Sequence, residues 1–183
     1  MPAAGNHRVG ADRGSLLLRT GRQGLAASAG HDLRIEVTDW SGELVIGEDL
    51  AASAVDVGFA TGSLVVREGT GGIKPLSERD KREIAQNAAR VLRTSQHPRG
   101  RFVSSGFRVG DGGGRVTGTL TLLGIDRPFQ LTVTDLGGDR YRVTGRVIQS
   151  EYGIKPYTAM LGALRLADPV DIEAELDLSG APE

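Results

Sequence analysis

Between Val170 and Leu178 the chain reads VDIEAELDL, apolar and acidic residues alternating over nine positions. Successive side chains of a β-strand point to opposite faces, so this stretch has one apolar face and one carboxylate face. On a helix the same residues would scatter round the whole circumference. The pattern requires a half-buried antiparallel strand, and the rest of the chain must supply partners for its apolar face.

Those partners recur along the chain. Ser15 to Thr20 reads as a strand before the turn signal Gly21-Arg22-Gln23-Gly24. Leu33, Ile35 and Val37 alternate with polar residues, and Trp40, Gly42, Leu44 and Ile46 share a face. Further strands are expected at Val55 to Phe59, which Ser63 to Arg67 either extends past Gly62 or follows as a strand of its own, and at Phe102 to Val109, Val116 to Leu123, Pro128 to Thr134 and Tyr141 to Val147. One long helix is expected, from Glu78 to Leu92. Ser77 is its N-cap, Asp80 stands in the capping-box position, and Ile84, Ala88, Val91 and Leu92 recur at helical spacing. Short turns between successive strands imply antiparallel pairing, and closure into a barrel removes exposed edges. The predicted fold is all-β, an antiparallel β-barrel of about eight strands with one main α-helix inserted mid-chain; a sandwich is the alternative.

The 183 residues suit a single domain, placed at residues 14–179 after a flexible tail over residues 1–13. That tail lacks the apolar core of a signal peptide, and no apolar run approaches the length of a bilayer span, so a cytoplasmic protein is expected. Twenty-two basic against 23 acidic residues offer nucleic acid no basic stripe, and no such partner is expected. With no cysteine, disulfides and thiolate metal sites are excluded.

Catalytic motifs are missing. His7, His31 and His97 show no paired ligand spacing, so neither a metal site nor a cofactor is expected. His7 sits in the tail, His31 before a strand as a hydrogen-bonded or rim residue, and His97 in a turn. No Gly-x-Ser-x-Gly elbow is present. Gly69-Thr70-Gly71-Gly72-Ile73-Lys74 lacks phosphate-loop spacing and reads as a turn. Asp171, Glu173, Glu175 and Asp177 read as a solvated strand face rather than an acid/base pair. Gly-Ile-Lys-Pro occurs at residues 72–75 and again at 153–156. It is either a reused loop ending or a pair of lysines, Lys74 and Lys155, placed at one rim for an anionic head group.

Five segments in order resemble the YceI-like family, in particular its actinobacterial, signal-less branch. They are AGHDLRIEVTDWSGEL, GTGGIKPLSERD, HPRGRF, GTLTLLGIDRPFQLTV and QSEYGIKPYTAMLGALRLADPVDIE. The likeness runs from about Ser15 to Leu178. It implies a lipocalin-like barrel with an apolar interior that binds a long amphiphile, such as a polyisoprenoid, an isoprenoid quinone or a fatty acyl chain, without catalysis.

From the alternation, the inward-facing set comprises Leu18, Leu33, Ile35, Val37, Trp40, Phe59, Leu120, Leu131, Tyr141, Val147, Ile172 and Leu176, with His31 at the rim. Only eight aromatic residues occur in the chain, so mostly medium-sized liners favour a hollow barrel over a filled one. The segment from Glu151 to Leu164 is expected to cover one opening, with Tyr152, Tyr157 and Met160 as gates. The expected role is carrier or sequestering protein, transporting a hydrophobic small molecule; a homodimer is compatible with it. A filled interaction module, or an enzyme acting on a hydrophobic substrate in the same cavity, are the alternatives.

Overall fold

The structure is a computed structural model and describes residues 3–180. Its organising strand is longer than the alternation suggests. The chain runs β1 (Gly5–Gly10), β2 (Gly14–Gln23), β3 (His31–Val37), β4 (Trp40–Ile46), β5 (Ala54–Ala60), β6 (Leu64–Gly71) and α1 (Glu78–Val91). It continues through β7 (Arg99–Gly110), β8 (Gly113–Leu122), β9 (Ile125–Gly137), β10 (Arg140–Ile148), β11 (Thr158–Ala159) and β12 (Leu164–Asp177). At about 3.3 Å per residue, β12 is roughly 46 Å long. It starts before Val170 because Ala167, Asp168 and Pro169 form a bulge between the pairs Leu166–Arg22 and Val170–Thr20. Gln149 and Ser150 hold that bulge through hydrogen bonds to the Ala167 carbonyl (2.9 Å) and the Asp168 carboxylate (2.7 Å). Pro169, which has no N–H, is accommodated there.

All pairings are antiparallel, in the order β1-β4-β5-β7-β8-β9-β10-β12-β2-β3-β6, with β11 on β12. One continuous sheet excludes the sandwich. Its two ends meet at a corner. The connections Thr38–Asp39 and Thr61–Ser63 join β3 to β4 and β5 to β6, strands from opposite ends of that order. Thr38 N donates to Ser63 O and Ala60 N to Asp39 O, each at 2.9 Å. The sheet therefore curls into a lipocalin-like barrel, while its edge strands β1 and β6 are not paired with each other.

Three expectations are corrected. The sheet has twelve strands among the described residues, not about eight. The stretch assigned to a flexible tail contains β1, which pairs with β4 from Gly5–Ile46 to Gly10–Ser41. Its short, glycine-flanked sequence carries little alternation and needs β4 as a template. His7, placed in that tail, is buried in β1, and its Nε2–H donates to Ala3 O at 2.7 Å.

The helix follows the sequence reading closely. Ser77 Oγ accepts from Asp80 N (3.2 Å) and the Asp80 carboxylate accepts from Ser77 N (2.8 Å), forming a complete capping box. On the outer face of β12, Asp171, Glu173 and Glu175 pair with Arg146 (2.6 Å), Arg19 (3.2 Å) and Arg142 (2.7 Å) from the flanking strands. Such exposed pairs contribute little individually, about 0–1 kcal/mol each, but they match the register.

Candidate ligand-binding cavity

The inner faces enclose a cavity of about 720 Å³. The alternation that sends carboxylates outward on β12 sends Val170, Ile172, Ala174 and Leu176 to its wall. Opposite them, β2 and β3 contribute Leu16, Leu18, Leu33, Ile35 and Val37, and β4 contributes Trp40, Leu44 and Ile46. Phe59, Phe102, Phe107 and Phe129 add aromatic surface, with Phe102 and Phe129 edge to face at 6.1 Å between centroids. Leu120, Leu131, Tyr141 and Val147 complete the sheet's share. At roughly 30 Å³ per water-sized group, this space holds about two dozen methylene-sized groups.

Sequence reasoning missed the helix as a wall. Ile84, Asn87, Ala88, Val91 and Leu92 all line the cavity, so α1 covers one side of it. The helical spacing was visible, but nothing in it says which surface of the barrel the helix meets.

All of the expected inward residues from Leu18 to Leu176 line the cavity, together with His31 and Tyr157. Tyr152, Met160, Lys74 and Lys155 do not. Tyr152 is only 1% exposed, packed in the wall with Leu122, Leu123 and Ile154, because the 3-10 turn Gln149–Tyr152 folds its ring inward. Burial, with the Glu151 charge second, raises the Tyr152 pKa. Met160 and Leu161 take left-handed backbone angles (φ 51° and 55°) that turn both side chains out to solvent. Lys74 and Lys155 are exposed in loops, and the Lys74 carbonyl accepts from His31 Nε2 at 2.8 Å.

Most polar groups on the lining are satisfied by the protein. Thr20 Oγ accepts from Leu33 N (3.2 Å), Thr61 Oγ donates to His97 O (2.6 Å), and Ser53 Oγ accepts from Gly47 N (3.2 Å). Arg22 donates to Gly30 O and lies 3.6 Å from Asp32. Trp40 and Tyr141 are lining residues whose indole N–H and hydroxyl are themselves buried and have no hydrogen-bond partner among the described residues. No group of three or more His, Asp or Glu side chains in the described residues could hold a metal ion. No described helix is long and apolar enough to cross a membrane.

A curled antiparallel sheet around an apolar hollow, with one helix against it, defines a barrel of the lipocalin-like class. The chain matches the family model described as "YceI-like domain" over residues 19–178, and it belongs to that family. BcnA from Burkholderia cenocepacia superimposes with a TM-score of 0.66 at 16% identity, covering 92% of this chain and 98% of that one. A polyisoprenoid binding domain from Saccharophagus degradans, implicated in plant cell wall breakdown, gives 0.56 at 14% identity, covering 95% and 97%. The YceI protein of Campylobacter jejuni gives 0.55 at 16% identity, covering 78% and 81%. At these identities the likeness establishes the fold. No curated protein matches the sequence.

Proposed function

We propose that this protein binds a long-chain amphiphile, of the polyisoprenoid, isoprenoid quinone or fatty acyl type, inside the barrel as a carrier or sequestering protein. The observation that carries this reading is the 720 Å³ apolar cavity lined from both sheet and helix. A packed barrel has few voids larger than a water molecule, so a hollow of this size suits an occupant better than a filled interaction module. The Saccharophagus domain's description as polyisoprenoid binding supports the same ligand class. Each buried methylene contributes about 0.8 kcal/mol, so ten give roughly 8 kcal/mol before ordering costs, without any catalytic group. A cytoplasmic location and homodimerisation belong to the proposal and are checked by fractionation and light scattering.

Native mass spectrometry of the protein from its own host, followed by organic extraction, tests the reading. A near-stoichiometric long-chain species is expected. A protein that carries nothing, and binds neither added isoprenoid nor added fatty acid, refutes it.

A further inference from the structure

Five large apolar side chains among the described residues are more than half exposed, and four of them, Leu25, Ile73, Met160 and Leu161, belong to three loops at one end of the barrel. Leu25 and Leu161 are fully exposed and Ile73 is 84% exposed. The loops are held against one another. Ala26 N donates to Ala163 O (2.9 Å) and Ala163 N to Met160 O (3.1 Å), so the turn carrying Leu25 rests on the turn carrying Met160 and Leu161. The third loop closes on the same place. His31 Nε2 donates to Lys74 O (2.8 Å) beside Ile73, and a Cβ on neighbouring Gly30 would stand 2.6 Å from Leu164 Cδ1. Arg22, His31 and Leu164 line the cavity here, as do the exposed Tyr157 and Arg165, so this end is a mouth of the hollow. At the opposite end, where the β7–β8 hairpin lines the cavity, Val109 is the only large apolar side chain more than half exposed.

Clustered exposed apolar side chains mark a surface that meets something other than water. Met160 and Leu161 take two consecutive left-handed backbone conformations, φ 51° and 55°, which asparagine or glycine would adopt more readily. The backbone is thus strained at the point where it holds two bulky apolar groups in solvent. Three features point to a lipid bilayer as the partner. The tips come from separate loops and stand clear of the surface, a shape suited to entering a fluid phase. They rim an opening into the apolar cavity, so a lipid chain passing from bilayer to barrel stays out of water. Lys74, Lys155 and Arg165 stand on or beside the same loops, exposed and without an ion-pair partner among the described residues. The nearby carboxylates are largely engaged: Asp32 lies 3.6 Å from Arg22, Asp80 accepts from Ser77 N and Asp168 from Ser150 N, which leaves Glu151 exposed. Long basic side chains can reach lipid phosphates while apolar tips pass below the head groups.

We propose that this mouth is a membrane-docking surface. Leu25, Ile73, Met160 and Leu161 insert into the bilayer, Tyr157 sits at head-group level, and the cavity takes up or releases its amphiphile there. The inference rests on the carrier reading above and adds the surface the carrier visits and the end of the barrel through which the ligand passes. Four such side chains bury about as much apolar surface as one myristoyl chain, which binds membranes marginally and reversibly. Docking of that strength suits a protein that must leave again.

Flotation with phosphatidylcholine vesicles, with and without phosphatidylglycerol, tests the surface. The protein is expected to float with the vesicles, and more with the anionic lipid present. Leu25→Ser and Leu161→Asn should each weaken partitioning about tenfold, and the pair about a hundredfold. Asparagine suits the left-handed backbone, so Leu161→Asn should keep or raise the melting temperature, which separates lost docking from lost folding. Val103→Thr, at an exposed apolar position on the outer face of β7, should leave partitioning unchanged. Both docking variants should bind a three-unit isoprenoid quinone from solution as the wild type does, yet extract it from vesicles about tenfold more slowly. A wild-type protein that stays off both kinds of vesicle, or variants that float as well as the wild type, overturns the docking surface. The carrier reading then stands if the quinone still binds from solution. Self-association that the same variants abolish, with the vesicles left free, also overturns it, in favour of a second copy of this chain. Vesicle docking by a protein that binds no quinone overturns the carrier reading alone.

Discussion

Filling the cavity separates a hollow barrel from a packed one by the sign of a single measurement. Ala174 lies on β12 between Leu16 and Val143, with its side chain on the cavity wall. Ala174→Phe adds six carbons, which at roughly 30 Å³ each take up to about a quarter of the space. If they enter a void, about 100 Å² of extra apolar surface is buried, worth roughly 2.5 kcal/mol. Rotamer ordering and incomplete contact reduce this to about 1 kcal/mol, and phenylalanine also suits a strand better than alanine. The melting temperature should rise by about 2–4 °C in a chain of this size. Binding of an isoprenoid quinone should weaken at least tenfold, because the ligand loses room at about 0.8 kcal/mol per displaced methylene. Urea denaturation gives the first quantity and calorimetry the second. In a filled core the same substitution overpacks and costs about 1–3 kcal/mol. A stability loss above 1 kcal/mol would refute the reasoning from cavity to ligand.

Other perturbations address the parts that frame the cavity. Gly14→Ala should lower stability by about 1–3 kcal/mol and change the emission of Trp40, because a Cβ there would stand 2.4 Å from the backbone oxygen of Glu175. Hydrogen bonds from the Ser77 hydroxyl, then from the Ser77 N–H, hold the Asp80 carboxyl below its ordinary value of 3.8. Its contribution to the start of α1 is therefore full above the unfolded value and lost as pH falls through the depressed one. Amide exchange in α1 should accelerate below about pH 4. Ser77→Ala should cost about 1 kcal/mol and remove much of that pH dependence. Burial first, then the charges of Asp135 and Asp139, push the Tyr141 phenol above 10.0, so ultraviolet titration should find it ionising later than an exposed tyrosine. Its raised value means that stability falls as pH rises past 10; a normal titration would contradict the buried hydroxyl.

Which parts were legible in the sequence follows from what each signal depends on. Period-two alternation reports a face buried on one side only, so β3, β4, β10 and β12 and their inward residues could be read directly. The Ser77–Asp80 capping box is equally local. β1 was not legible, because Gly5–Gly10 becomes a strand only against β4. The gate assignments failed at Tyr152 and Met160 because the segment between β10 and β12 has no periodicity. One 3-10 turn buries the first ring, and two left-handed residues expel the second side chain. Lys74 and Lys155 share a motif, but a shared motif does not say where a side chain points.

A hollow barrel also has to be stable without a central packed core, and the distribution of buried residues shows how this is met. The buried side chains fall into three clusters rather than one. Phe102, Leu120 and Tyr152 belong to the first, Val37, Trp40 and Leu44 to the second, and Leu33, Ile35 and Val66 to the third, against which Ile84 of α1 packs. Each cluster joins strands distant in sequence, and the cavity lies among them. Its lining makes fewer contacts than a filled core would, so on the proposed carrier function an apolar ligand would supply what is missing where the clusters face one another. Binding to the folded state alone adds about 2.7 kcal/mol when free ligand is 100-fold above its Kd. At about 2–4 °C per kcal/mol, the melting temperature should rise by about 5–11 °C with a saturating isoprenoid quinone. Ala174→Phe, already filled at that point, should show a smaller rise at the same ligand concentration. An equal rise in both proteins would place the ligand outside the barrel.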